Sequence, residues 1–423
     1  MSLTQEQIDI VKSTVPILKV HGETITTTFY RNVLNAHPEL RNIFSLRSQQ
    51  TGAQQSALAK AVFAYASYID DLPRLTHAVE RIAHKHASLF IQPEHYPIVG
   101  KYLVAAFAEV LGDALTDEVT QAWIAAYNQL ADVFIQREAQ LYKEAGDWDS
   151  WRKFKIAKKA AENSTVTNLE LVPVDGKALP TYLPGQYISL QIPVPEAGGL
   201  VQSRQYSLAA APAAACDRYC ISVKREETTL DTATSEELAT GKVPGLISNL
   251  LLGRYSEGDI VELSPPHGEF FVDASDPSAV SKPLVLLSAG VGAAPLVAIL
   301  DSVLDSPSAA RLISWIHMAR SSDTACYTKH VREVAAKHPG VRCKIALKNV
   351  QPQDVQGEAY DVSGRLDLAA LVDEEGLLHL EDVAAEYYIC GPEPWMVELR
   401  SWLTSRGVQV ERQHLELFKT GDV

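Results

Sequence analysis

No apolar run in this 423-residue chain reaches the ~18 residues that a membrane-spanning helix needs. The N-terminus, MSLTQEQIDI, has no apolar signal-peptide core, and the C-terminus, KTGDV, has no S-K-L ending. A cytoplasmic protein without stable membrane association is therefore expected. Positive charge is also short. With 38 Lys and Arg against 52 Asp and Glu, the net charge is −14, the wrong sign for a nucleic-acid groove or an anionic lipid surface. Cysteine is scarce and odd in number, and Cys216, Cys220, Cys326, Cys343 and Cys390 contain no C-x-x-C pair. A thiolate metal site or a redox dithiol is not expected, and the thiols are read as reduced. No C-x-x-C-H occurs, which excludes thioether attachment of a haem. Internal repeats and coiled-coil heptads are absent, so a monomer is expected.

What is present divides into three styles of sequence. At this length two to four domains are expected, from ~100–200 residues per domain. Up to Trp148 the apolar spacing is helical and Gly and Pro are sparse. Thr4 to Gln7 has the form of a capping box, and 23–36, 51–69, 73–91, 95–111 and 117–143 read as further helices, with breaks at LRSQQTG, DDLP and IQPEHYP. After residue 152 the period shifts towards two in KFKIAKK, NLELVPV, GQYISLQIP and YCISVKRE, as in a small antiparallel barrel. A polar insert, TTLDTATSEELATGKVP, reads as a surface loop or short helix. From PLVLLSAG onward apolar strands alternate with helical patterns, which implies a parallel α/β sheet. The expected fold is multidomain: an all-α unit over 1–147, an antiparallel β-barrel over 148–276 and an α/β unit over 277–423.

In the helix over 73–91, Leu75, Val79, Ile82, His86 and Leu89 recur at helical spacing, which turns His86 into the apolar stripe. His84 and Lys85 fall off it. Tyr96, Val99, Leu103, Phe107 and Val110 share one face of the next helix, and Trp123, Tyr127, Leu130, Phe134 and Glu138 share one face of the last. A carboxylate on a buried stripe needs a partner, and a metal-bound imidazole has one free N–H that needs an acceptor. Glu138 is either that acceptor or an exposed helix-end residue beside Arg137. Tyr30, among Phe29, Val33 and Leu34, and Gln54, in line with Leu58, Ala61 and Tyr65, place a phenol and an amide against the same core. Each is either ordinary packing or a hydrogen-bond donor to a bound ligand.

The order Tyr30, Phe44, Gln54, Leu58, His86, Tyr96 resembles a globin. The phrases GAQQSALAKAVFAYA, IAHKHASLFIQPEHYPIVG and FIQREAQLY resemble the globin domain of flavohaemoglobins. That resemblance implies a haem b whose iron is held by His86, with Tyr96 and Glu138 behind it. It places Tyr30, Gln54 and Leu58 on the distal side, Phe44 wedged against the haem and Lys85 at the cofactor site.

Beyond the turn Pro184–Gly185, Gln186-Tyr187 opens a strand, and Arg204-Gln205-Tyr206-Ser207 follows. An arginine beside an aromatic ring and a hydroxyl suits a diphosphate and a flavin face, and the pairing with P-G-Q-Y resembles the FAD barrel of ferredoxin-NADP reductases. Gly245-Leu246-Ile247-Ser248, at the head of an apolar helix, offers backbone amides to the FAD pyrophosphate. The insert before it resembles fungal members and leaves Glu226 and Glu227 unassigned. Leu284–Ser288 reads as a buried strand running into Gly290-Val291-Gly292-Ala293-Ala294-Pro295, a tight turn for a nucleotide pyrophosphate. Ala294 stands where the superfamily has Thr. Cys390-Gly391-Pro392 resembles the segment beside the nicotinamide, and Glu416 and Phe418 the pair beside the flavin. Arg320 either meets a 2′-phosphate or is a solvated loop residue, so NADH and NADPH both stay open.

The resemblance covers the whole chain and implies an NO-detoxifying nitric oxide dioxygenase. Electrons would pass from NAD(P)H through FAD to haem, with O2 and NO as the small-molecule partners and nitrate as the product. An NAD(P)H oxidase or haem reductase, and a gas sensor, are the alternatives.

Overall fold

A computed structural model describes residues 3–213, 215–226, 245–306, 310–372, 374 and 376–418. Most of the polar insert, 227–244, lies outside them, as does Glu227.

The first unit is helical: α1 (Gln5–Ser13), α2 (Val15–Ala36), α3 (Leu46–Gln50), α4 (Ala53–Ser67), α5 (Thr76–Ser88), α6 (His95–Leu111) and α7 (Asp117–Glu144). The capping box at Thr4 and Gln7 is formed. The second helix begins earlier than its apolar spacing suggests, because Pro16 lies in its first turn, where a missing N–H costs nothing. LRSQQTG is likewise not a break throughout: Ser45 caps α3, and only Gly52, at φ 75°, interrupts the helix. DDLP becomes a 3-10 turn over Leu72–Leu75.

The second unit is a six-stranded antiparallel sheet in the order β4-β3-β6-β1-β2-β5, from β1 (Arg152–Ala161), β2 (Val166–Pro173), β3 (Tyr187–Val194), β4 (Leu200–Ser207), β5 (Tyr219–Lys224) and β6 (Ile260–Leu263). A bridge between Leu208 and Ile221 joins its two edges and closes the barrel. Its core holds Phe154, Ile156, Leu169, Ile188, Tyr219 and the capping residue Trp148, with α8 (Leu246–Gly253) beside it.

The third unit is a wholly parallel sheet in the order β10-β9-β8-β7-β11-β12. Its strands are β7 (Leu284–Ala289), β8 (Ile313–Ala319), β9 (Val341–Leu347), β10 (Val362–Ser363), β11 (Glu386–Cys390) and β12 (Gln413–Glu416), with helices α9 (Ala293–Leu304), α10 (Thr328–Lys337) and α11 (Glu393–Ser405). Leu284 to Leu287 are completely buried, as expected of a parallel strand covered on both faces.

Polar bonds tie the units together. Gln202 of β4 accepts from Leu46 N at 2.8 Å and donates to Arg41 O at 2.7 Å, and Gly268 N donates to His84 Nδ1 at 3.1 Å. His84, which falls off the apolar stripe of its helix, is thus a joint to the barrel. Between barrel and parallel sheet, Tyr388 donates to Phe271 O at 2.9 Å, and Tyr327 N to Glu162 Oε1 at 2.7 Å.

Candidate active site

One cavity of about 1710 Å³ is walled by all three units. That exceeds the ~300–1,000 Å³ of a pocket for one small ligand, and leaves room for more than one bound group.

On the globin side, helical periodicity brings His86, Tyr96 and Glu138 to one point from three helices. His86 Nδ1 lies 2.8 Å from Glu138 Oε1 and 3.1 Å from the Tyr96 hydroxyl. Tyr96 donates to the same carboxylate oxygen at 2.5 Å, and Tyr127 donates to Tyr96 O at 2.6 Å. Gly100 permits this: a Cβ there would lie 2.5 Å from the Tyr127 ring. Glu138 is 2 % exposed, and Arg137 pairs instead with Glu80. The exposed-end alternative for Glu138 is thereby removed. Burial pushes the Tyr96 phenol far above its ordinary pKa, and the neighbouring Glu138 adds to it. With Nδ1 engaged, Nε2 is the imidazole edge left for the cavity that His86 lines.

Across that cavity stand Tyr30, Phe44, Gln54 and Leu58. The Tyr30 ring meets Phe44 edge-on at 5.3 Å. Burial raises the Tyr30 pKa, and a hydrogen bond from Gln54 opposes this only in part.

At the barrel, Gly185 turns the chain at φ 108°, and a Cβ there would strike Phe270 O at 2.3 Å. Tyr187 then pairs through its backbone with His267 at 2.8 Å in both directions. Arg204, Gln205 and Ser207 line the cavity. Arg204 Nη1 donates to Ser203 O at 2.6 Å, whereas Nη2 and Ser207 Oγ are buried without a partner. Buried unpartnered donors are costly, and a flavin diphosphate would satisfy both. Tyr206 packs against the barrel core and does not reach the cavity wall. Ile247 is also a core residue. Gly245 is required for packing, since a Cβ would lie 2.3 Å from Glu226 Cγ and 2.8 Å from Ser248 Oγ. Neither Gly245 nor Ser248 lines the cavity; Glu226, unassigned from sequence, does.

At the parallel sheet, Gly290, Gly292, Gly391 and Pro392 line the cavity beside Trp395. A Cβ on Gly292 would lie 2.2 Å from Cys390 O, so the two strand ends approach as only glycine allows. Ala294, Pro295 and Cys390 are buried and stand behind the wall. Burial holds the Cys390 thiol well above its ordinary pKa. Glu416 lies next to Cys390 in register and faces the cavity. Burial pushes its carboxyl up to about 8; Glu269 adds to this, while Arg81 and Lys85 oppose it. Burial also brings Lys85 down to about 8. Phe418 is 47 % exposed at the same wall. Arg320 lines the cavity and has a partner.

Sequence reasoning missed Arg81, Glu269, Arg47 and Lys348, all at the wall. Trp395, read with the segment that follows Pro392, lines the wall as well.

Comparison with known proteins agrees with this architecture. Residues 27–134 match the globin family and 286–400 the oxidoreductase NAD-binding domain. The flavohemoprotein of Bordetella pertussis is 45% identical over 425 residues, covering 100% of both chains. The chain belongs to the flavohaemoglobin family. Another member, from Chromobacterium violaceum, is 42% identical over 98% of both chains. The crystal structure of flavohemoglobin from Malassezia yamatoensis with bound FAD and heme superposes at a TM-score of 0.84, with 27% identity and coverage of 99% and 100%. The FAD/NAD-binding domain of nitric oxide dioxygenase from Vibrio cholerae matches at 31% identity and a TM-score of 0.50, over 63% of this chain and 97% of that one. The expected likeness to fungal members is not borne out. The flavohaemoglobins at 39% to 45% identity are bacterial, and the Bordetella protein aligns along its full length, so the polar insert does not mark a fungal group.

Proposed function

We propose that the protein is an NAD(P)H-dependent nitric oxide dioxygenase that turns two NO and two O2 into two nitrates per NAD(P)H. The observation that carries this is the His86 imidazole, tied through Nδ1 to buried Glu138, in a cavity continuous with the barrel and parallel-sheet walls. When bound, haem supplies the iron at which O2 is reduced, and FAD supplies a carrier that takes electrons in pairs and releases them singly.

His86 would hold the iron through Nε2, and Glu138, hydrogen-bonded to Nδ1, would raise the ligand's basicity. Tyr30 keeps its proton because burial raises its pKa, and it donates that O–H towards the distal site with Gln54 orienting it. Leu58 and Phe44 exclude water there. Arg204, Gln205, Ser207 and Tyr187 would hold FAD, while Tyr206, Gly245, Ile247 and Ser248 shape the barrel that presents them. Gly290 and Gly292, with Ala294 and Pro295 behind them, bring backbone amides at the head of α9 to the nucleotide diphosphate. Gly391 and Pro392 would border the nicotinamide, with Cys390 packed behind them. Glu416, whose carboxyl burial pushes up to about 8, and Lys85 line the cavity shared by the units, and Phe418 would meet the flavin there.

We place the unit junctions at 147/148 and 276/277, because Trp148 is already in the barrel core. No described helix is long and apolar enough to cross a membrane; a cytoplasmic monomer accords with this and with the charge of −14.

The test is a visible spectrum of the purified protein, with a Soret band and flavin absorption, followed by NO consumption assays. NO loss requiring both NAD(P)H and O2, with nitrate formed, is expected. Peroxide or superoxide without nitrate would make the protein an oxidase.

A further inference from the structure

A second, smaller cavity of about 190 Å³ lies between α1, α2, α6 and α7. Leu18, Phe107, Leu111 and Trp123 form its apolar wall, and Ser13 and Ala114 are exposed at its rim. Its hydroxyls are already used: Ser13 donates to Ile10 O and Thr14 to Val11 O, both at 2.6 Å. The Trp123 Nε1–H is buried and has no partner. A resident water needs two to four polar partners, whereas apolar cavities of roughly 150 Å³ stay dry and take up xenon or benzene. The space therefore suits a small apolar guest and offers little to water or ions.

Trp123 also lines the main cavity, as Tyr30, Leu103 and His86 of the same helical unit do. Its indole, tilted at 31° against Phe107 with ring centroids 5.0 Å apart, is thus the partition between a crevice open at the surface and the chamber facing His86. We propose that the smaller cavity is an entry and docking site for apolar diatomic gases, which pass the Trp123 indole to reach the main cavity. The assignment rests on O2 and NO being the substrates.

Xenon, as the probe, tests the site in pressurised crystals of the holoprotein. Xenon density in the smaller cavity is expected, and its loss in Ala114→Trp, where a bulky ring closes the exposed rim. After flash photolysis, bimolecular CO rebinding should slow several-fold in Ala114→Trp and quicken in Trp123→Ala. The Soret band and the NAD(P)H–ferricyanide activity of Ala114→Trp should match the parent. Xenon in the main cavity but not the smaller one, or unchanged CO rebinding in Ala114→Trp, overturns the proposal. If xenon and CO behave as expected but no nitrate forms from NO, the dioxygenase reading fails and the gas route stands.

Discussion

Ser189 of the barrel donates its hydroxyl to Ser88 Oγ at 2.8 Å, a buried bond between units joining positions 101 residues apart in sequence. It belongs to a directed chain. Gln205 Nε2 donates to Ser189 at 2.9 Å, and Ser88 donates in turn to Lys85 O at 2.8 Å. Ser88 lies just beyond His86 on the same helix, so the chain runs from beside Arg204 to the Lys85 carbonyl, which forms the peptide bond to His86. Ser189→Ala should cost about 1 kcal/mol of stability and slow haem reduction by flavin several-fold. Flavin reduction by NAD(P)H should not change. Stopped-flow traces at the flavin and Soret bands separate the two steps, and an equal loss in both would reduce the chain to packing.

Removal of the imidazole and removal of its partner should differ. His86→Ala is expected to lose haem, read as loss of the Soret band. Glu138→Gln should keep haem but lower turnover by about 10-fold or more, in line with the effect of losing a partner behind a metal ligand. An unchanged rate would exclude Glu138 from the chemistry.

Glu416 makes stability depend on pH with a definite sign. Its folded pKa of about 8 lies above the ~4.3 of an unfolded glutamate, so the folded chain binds the extra proton between those values. Stability should fall as pH rises from about 4.3 to 8 and level off above that. Its carboxyl faces a cavity that solvent can enter, so the change is set at about 1–3 kcal/mol. In urea unfolding without cofactors, Glu416→Gln should remove that slope; equal slopes would show that the carboxyl ionises freely.

His267 acts in the opposite sense. Burial, reinforced by nearby His84, brings its pKa down to about 3, below the ~6.5 of an unfolded histidine. The contribution is present above pH 6.5 and is lost as pH falls through 3. His267→Gln should flatten the acid limb of the pH–stability profile, as measured by thermal unfolding midpoints.

Gly292→Ala should be the most damaging single methyl in the nucleotide turn. Its Cβ would lie 2.2 Å from a backbone oxygen, which a rotamer change cannot relieve. A loss of about 3 kcal/mol is expected, with NAD(P)H-dependent flavin reduction abolished and CO binding by the globin unit retained. Gly290→Ala meets no atom within 4 Å and is limited by its φ of 57°, a smaller strain.

The sequence by itself determined the three units and their order, because helical, alternating and βα periodicities record which faces must leave water. It also turned His86 and Tyr96 inward on stripes repeating at 3.6 residues, but left Glu138 open at its helix end until burial and the Arg137–Glu80 pair decided it. Tertiary structure decided what has no period. Ser88 and Ser189 are ordinary hydroxyls until two units dock, and Arg81 and Glu269 are ordinary surface charges until a shared cavity forms around Glu416. Tyr206, Ile247, Ala294 and Cys390 belong to recognisable motifs, yet the packed chain sets them behind the wall. A motif specifies how the backbone turns, and burial against neighbouring elements selects which of its atoms face the cavity.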